Sequence, residues 1–274
     1  MNDRTRGIFS KPRRHLATSR PVPFPADIRR ALKAVADPAV RTSYESYFKG
    51  KLPFIGVRTP RVRQLFRELV PPRATYPAER AIVDAFALLR AASAEEKHIG
   101  ILLLHRHRRE LPDDFLQRLE PVFDDAVHEW GTCDGVCGRV LRHLLVRSDR
   151  DRRRIIAWSR SPNQWRQRAS AVAFVNEARH GRYTAGILEV CERTVNNPER
   201  FVQLGTGWVL RELWLAEPRT VIAFLRRHYP QISREGLRYA IEKMPATDQA
   251  ALLAEHHASG AAAAPRGARR LQTP

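Results

Sequence analysis

The chain has 274 residues, 43% of them hydrophobic, and a formal net charge of +19 from 48 Lys and Arg against 29 Asp and Glu. This is enough apolar material to bury a core, but no apolar run reaches the ~20 residues of a membrane span, and three cysteines do not make a disulfide framework. The excess of base over acid is more than solubility requires and points to a polyanionic partner, nucleic acid ahead of an anionic membrane surface.

Residues 1–22 are basic, lack the apolar stretch of a secretory signal and read as a disordered arm. Helical periodicity then takes over. ADIRRALKAVA (26–36) places Ile28, Leu32 and Val35 on one stripe and ends before Pro38. SYFKGKLPFIGVRTP (46–60) is a loop with two lysines and two glycines that leads into a helix start, a setting that suits a phosphate. TPRVRQLFRELV (59–70) opens with Thr59 as N-cap and Pro60 at the first helical position, then sets Val62, Leu65, Phe66 and Leu69 on one face. Further helical segments follow at short intervals. The basic end HRHRRE (105–110) is expected to be solvated, and Cys133 and Cys137 are expected to fill space on a helix face rather than bind metal.

HEWGTCDGV (128–136) puts Trp130 and Asp134 four residues apart, hence on one face of a helix, with Gly131 and Gly135 thinning the surface around them. Two readings stand. Either Asp134 caps a helix starting near Gly135 and Trp130 is core, or an aromatic ring and a carboxylate flank a cationic sugar-like transition state. NQWRQRASA (163–171) starts with Asn163 as N-cap; Arg166 and Arg168 must face different ways, one toward solvent and one toward a groove. GTGWVLREL (205–213) holds two glycines, each costing a helix about 1 kcal/mol relative to alanine, just before Trp208. They are expected to clear room beside that ring for an approaching strand. From residue 258 the chain reads as an Ala- and Arg-rich disordered tail.

No hairpin dipeptide lies between alternating β-branched runs, so the chain is read as all-α. Comparable helix starts recur at roughly 35–40 residues, in the range of HEAT-like repeats. The expected architecture is an irregular α-solenoid of antiparallel helix pairs over 23–257 with a basic concave groove.

Taken in order, YFKGKLPFIGVRTPRVRQL, the W-x3-D of WGTCD, NQWRQRA, GWVLRE and SREGLRYAI resemble the AlkD-type DNA alkylation repair glycosylases over roughly residues 26–245. The resemblance implies hydrolysis of the N-glycosidic bond of cationic alkylated purines, such as 3-alkyladenine and 7-alkylguanine, in duplex DNA and without flipping the base. It implies Asp134 as catalytic carboxylate, Trp130 and Trp208 as the aromatic wall, Arg168 as phosphate ligand and Tyr47 as a further DNA contact, with Lys49 and Lys51 beside it. No metal or cofactor is implied; a cytoplasmic, nucleoid-associated monomer is expected. The sequence departs from the family pattern at Gly131, where an acid is usual, and at Leu204, where a lysine is common. Two rivals fit the residues: a HEAT-like module that binds DNA by shape without chemistry, and a protein-binding scaffold.

Overall fold

The computed structural model describes residues 25–50 and 52–263; Lys51, the arm at 1–22 and residues 264–274 of the tail lie outside them. In chain order the helices are α1 (Pro25–Ala34), α2 (Pro38–Tyr47), α3 (Thr59–Leu69), α4 (Ala78–Leu89), α5 (Ala94–Arg106), α6 (Phe115–Ala126), α7 (Trp130–Val136) and α8 (Arg142–Arg147), followed by α9 (Asp149–Ala157), α10 (Gln164–Val172), α11 (Val175–Ala178), α12 (Thr184–Thr194), α13 (Arg200–Trp214), α14 (Pro218–Arg227), α15 (Arg234–Ile241) and α16 (Ala246–Ala263). A π-helical segment, Cys137–Leu141, joins α7 to α8 without a break. There is no strand among the described residues, and none of their helices is long and apolar enough to cross a membrane.

Capping residues set many of the helix starts. The side chains of Asp37, Ser93, Ser148, Asn163 and Ser233 each accept a backbone N–H two or three residues on. Such caps contribute about 1 kcal/mol each. Asn163 is therefore the N-cap its position suggests. Two boundaries differ from the sequence reading. Pro38, read as a stop after α1, is the first residue of α2 with Asp37 as its cap. The cap of α3 is Arg58, with no side-chain bond, and Thr59 is already helical. At the far end α16 runs to Ala263, six residues past the expected boundary at 257.

The helices stack as two layers. The second helix of each pair packs beside the next, α5 on α7, α7 on α10, α10 on α13 and α13 on α15, while α4, α6, α9 and α12 lie outside them. One continuous apolar core runs between the layers from Ile28 to Leu252. This is the α-solenoid that the spacing predicts.

Buried polar groups tie neighbouring units. The Lys97 ammonium donates at 2.7 Å to both the Leu89 and the Ala126 carbonyls, the last residues of α4 and α6. Burial pulls its pKa down, against the opposing charges of Glu129 and Glu96. The HRHRRE end is partly internal rather than solvated: His107 is fully buried, and Arg106 donates to the Val70 and Pro71 carbonyls at 3.2 and 2.7 Å. Cys133 and Cys137 are buried fillers whose sulfurs face the Trp165 and Ala169 carbonyls of α10.

Candidate active site

The inner layer opens into a cleft of about 1150 Å³ that takes in Tyr47, Lys49, Trp130, Asp134, Arg168 and Trp208. All the expected site residues that the structure describes are therefore in one place. Their register explains how. Asp134, Arg168, Leu204 and Arg238 are each the fifth residue of α7, α10, α13 and α15, and all four line the cleft. Parallel helices packed side by side at a common register bring their fifth residues to one surface, so each unit supplies one side chain.

The start of α7 is fixed by Glu129, buried, whose carboxylate accepts the N–H groups of Gly131 and Thr132, the latter at 2.7 Å. The helix thus begins at Trp130, and Asp134 lies inside it rather than capping it. The Trp130 ring stacks on Phe48 with centroids 4.8 Å apart and planes 12° apart, and meets Tyr47 edge-on at 5.9 Å. A Cβ at Gly131 would lie 3.0 Å from a Glu129 carboxylate oxygen and 3.1 Å from the Phe48 ring, so an acid there would meet both a crowded ring and a like charge. Tyr47, at 70% exposure, forms the outer lip of this aromatic wall. Phe48 was missed from sequence, although it sits beside Tyr47 in SYFKG.

Asp134 and Arg168 form a bidentate pair, Nε and Nη2 each 2.9 Å from a carboxylate oxygen. Arg168 Nη1 also donates to the Phe201 carbonyl at 2.7 Å, so this one side chain on α10 joins α7 to α13. Arg168 as a whole is 4% exposed, and three of its five guanidinium N–H groups are used within the protein. The other two have no acceptor among the described residues. Burial raises the Asp134 carboxyl above its ordinary value, with the hydrogen bonds and charge of Arg168 opposing. Burial works against the Arg168 cation too, but Asp134 outweighs it and keeps the guanidinium charged. Arg166 turns the other way as expected, but not to solvent: it pairs with Asp124 on α6 at 2.7 and 2.6 Å.

Trp208 is half-buried on α13 and faces the cleft one turn after Leu204. The glycines beside it do not make room for a ligand. A Cβ at Gly207 would lie 2.6 Å from the Gly236 carbonyl of α15, and one at Gly205 would lie 3.2 Å from Arg168 Cγ. Both are buried contact points between helices, which corrects the expected opening for a strand. Gly207 lets α13 approach α15; Gly205 leaves space for the stem of Arg168.

The loop before α3 also differs from expectation. The N–H groups of Ile55, Gly56 and Val57 are bonded to the buried Glu95 carboxylate at 2.8–3.0 Å. That part of the loop is closed by an internal anion and is not a free phosphate cradle. Lys49 remains exposed on the cleft rim, while Lys51 lies outside the described residues. Sequence reasoning also missed Arg238, an exposed cation of the cleft for which no carboxylate partner is found among the described residues. Its 34-residue offset from Leu204, matching that of Arg168 from Asp134, was the available signal.

A family model described as "DNA alkylation repair enzyme" matches residues 28–244. Among solved structures, the chain is similar to one described as a predicted DNA alkylation repair enzyme from Enterococcus faecalis, with a TM-score of 0.68 and 16% identity over 77% of this chain and 97% of that one. At that identity the likeness establishes the fold. No functionally curated protein matches the sequence.

Proposed function

The chain belongs to the DNA alkylation repair enzyme family, and from that premise we propose that it is a DNA glycosylase acting on cationic alkylated purines such as 3-alkyladenine and 7-alkylguanine. The supporting observation is a carboxylate, Asp134, held in a cleft with two indole rings and fixed by a bidentate arginine.

The chemistry needs little more. An alkylated purine already carries positive charge. As its bond to C1′ breaks, the electron pair goes to the ring nitrogen and the base leaves neutral, with no general acid. The deoxyribose left behind is oxocarbenium-like; water adds at C1′ and loses a proton. Asp134 is the group that stabilises this cation and receives or steers the water. Trp130 and Trp208 present electron-rich faces to the same charge. Arg168 keeps Asp134 ionised and oriented, and its two remaining N–H groups can bond a backbone phosphate. Tyr47, Lys49 and Arg238 on the rim contact the backbone. A lesion read at the sugar need not leave the stack, so base flipping is not part of this reading.

The deciding experiment is incubation with methylated duplex DNA and chromatography for free base. Release of 7-methylguanine or 3-methyladenine above the spontaneous rate supports the proposal; its absence sinks it. One observation favours a second reading, a non-catalytic module that binds DNA by shape: both Asp134 oxygens are already bonded to Arg168. That reading expects tight duplex binding and no released base.

A further inference from the structure

Two buried carboxylates, Glu177 on α11 and Glu212 on α13, hold more positive charge than they can balance. Glu177 accepts from Arg142 at 2.8 Å and from Arg182 at 3.3 Å. Glu212 accepts from Arg179 at 2.8 Å, from Lys243 at 2.7 and 2.9 Å, and from its neighbour Arg211 at 3.1 and 3.2 Å. Both glutamates are almost fully buried, whereas Arg142, Arg182, Arg179 and Lys243 are between one-third and two-thirds exposed; Arg211, 15% exposed, is shared with Glu242. Glu177 and Glu212 are 35 residues apart, so a buried glutamate recurs from one unit to the next.

Stability alone does not call for this pattern. One cation suffices to balance a buried carboxylate, and a second, largely exposed partner adds little. What the second cation does gain is a fixed direction. Each glutamate anchors the inner ends of flexible side chains, reducing the entropy to be lost when their outer faces meet an anion. Each group keeps a net positive charge.

Arg142 ties this cluster to the cleft. Asp134, Gly138 and Arg142 follow at four-residue steps along α7, the π segment and α8. Over eight residues a regular α-helix would carry a stripe some 80° around its axis. The wider π turn takes up most of that drift, so Arg142 stays on the side of Asp134. Between them Gly138 is exposed, with nothing above its Cα within 4 Å. The distance from Asp134 to Arg142 along the axis is about 12 Å, the width of the major groove. A backbone lying on Arg142 is thus a different stretch from the one whose sugar meets Asp134.

We propose that Arg142, Arg182, Arg179 and Lys243, oriented by Glu177 and Glu212, form a second phosphate track on which duplex DNA rests while its lesion lies over the cleft. This rests on DNA being the substrate, but not on the glycosylase chemistry.

The test is fluorescence anisotropy of a short, labelled, undamaged duplex across a range of salt. Each lost phosphate contact lowers the slope of log affinity against log salt by about 0.9. The Arg142→Ala/Arg182→Ala variant is expected to lose about two from the slope. Glu177→Gln is expected to bind several-fold more weakly even though it makes the protein more basic. An unchanged slope in the double variant overturns the track, and tighter binding by Glu177→Gln overturns the orienting role. Should Glu177→Gln fail to fold, Arg182→Ala alone decides, with an expected loss of about one. Base release from methylated duplex is read in parallel. A normal slope without release counts against the glycosylase reading only; normal release with no slope change in the variants counts against the track only.

Discussion

Replacing Asp134 by Asn separates the catalytic proposal from the scaffold that carries it. The substitution keeps the shape of the side chain and one acceptor for Arg168 but removes the charge. A carboxylate about 4 Å from a cationic sugar is worth roughly 4 kcal/mol at the effective dielectric of a partly buried site, which corresponds to about a thousandfold in rate. Its side chain is 17% exposed, so solvent screens it little. The same change leaves the Arg168 cation short of its counter-charge. Breaking a buried pair outright costs about 3–5 kcal/mol, and the acceptor retained by Asn brings the expected loss to about 1–3 kcal/mol. Release should therefore be followed below the variant's own melting temperature, as 7-methylguanine freed from methylated duplex, with affinity for undamaged duplex measured alongside. We expect release to fall about a thousandfold and affinity to change little, since the carboxylate meets no phosphate. A folded Asp134→Asn protein that releases base at a rate near wild type would refute the reasoning.

Four further outcomes follow from the same structure. Burial holds the Asp134 carboxyl above its ordinary value, so on acidification it takes up a proton before an ordinary aspartate does, and the acid limb of the release profile lies correspondingly higher. Removing the opposing cation in Arg168→Gln should move that limb higher still; a limb that stays in place would mean that Asp134 does not control it. Gly207→Ala gains about 1 kcal/mol of helix propensity but drives a methyl to 2.6 Å from the Gly236 carbonyl, an overpacking cost of about 1–3 kcal/mol; a lowered Tm is expected, and a raised one would show the α13–α15 contact to be loose. Lys97→Met strips two helix-end carbonyls of their donor and should cost about 2–4 kcal/mol in denaturant unfolding. Lys49→Ala should lower the salt slope of duplex binding by about one, with no effect if the rim of the cleft carries no phosphate.

The fold was legible because its signals are local. Apolar spacing such as Val62, Leu65 and Phe66, and caps such as Asn163, depend on a few neighbouring residues. The gathering of Trp130, Asp134, Arg168 and Trp208 in one cleft was expected only from the family resemblance of their segments, not from any signal local to them. What escaped needs a partner from another unit. Gly205 and Gly207 look like weak points in a helix until the stem of Arg168 and the carbonyl of Gly236 are placed against them. The loop at 52–57 looks like an anion site until Glu95, some 40 residues on, fills it. The pairing of Asp134 with Arg168 was equally hidden, for nothing in either segment names the other. The π segment that keeps Arg142 in line with Asp134 has no sequence signature in CGRVL.

The fifth-residue register has a mechanical consequence. In a solenoid each unit touches only its neighbours, and small rotations between units add along the stack. Asp134 and Arg168 belong to adjacent units and are clamped to each other, so bending hardly alters the gap between them. Asp134 and Arg238 are three steps apart, and every step contributes to their separation. Flexing would therefore spread or narrow the outer span of the cleft while the Asp134–Arg168 pair holds its aim, much as the jaws of a chain wrench adjust around a fixed pivot.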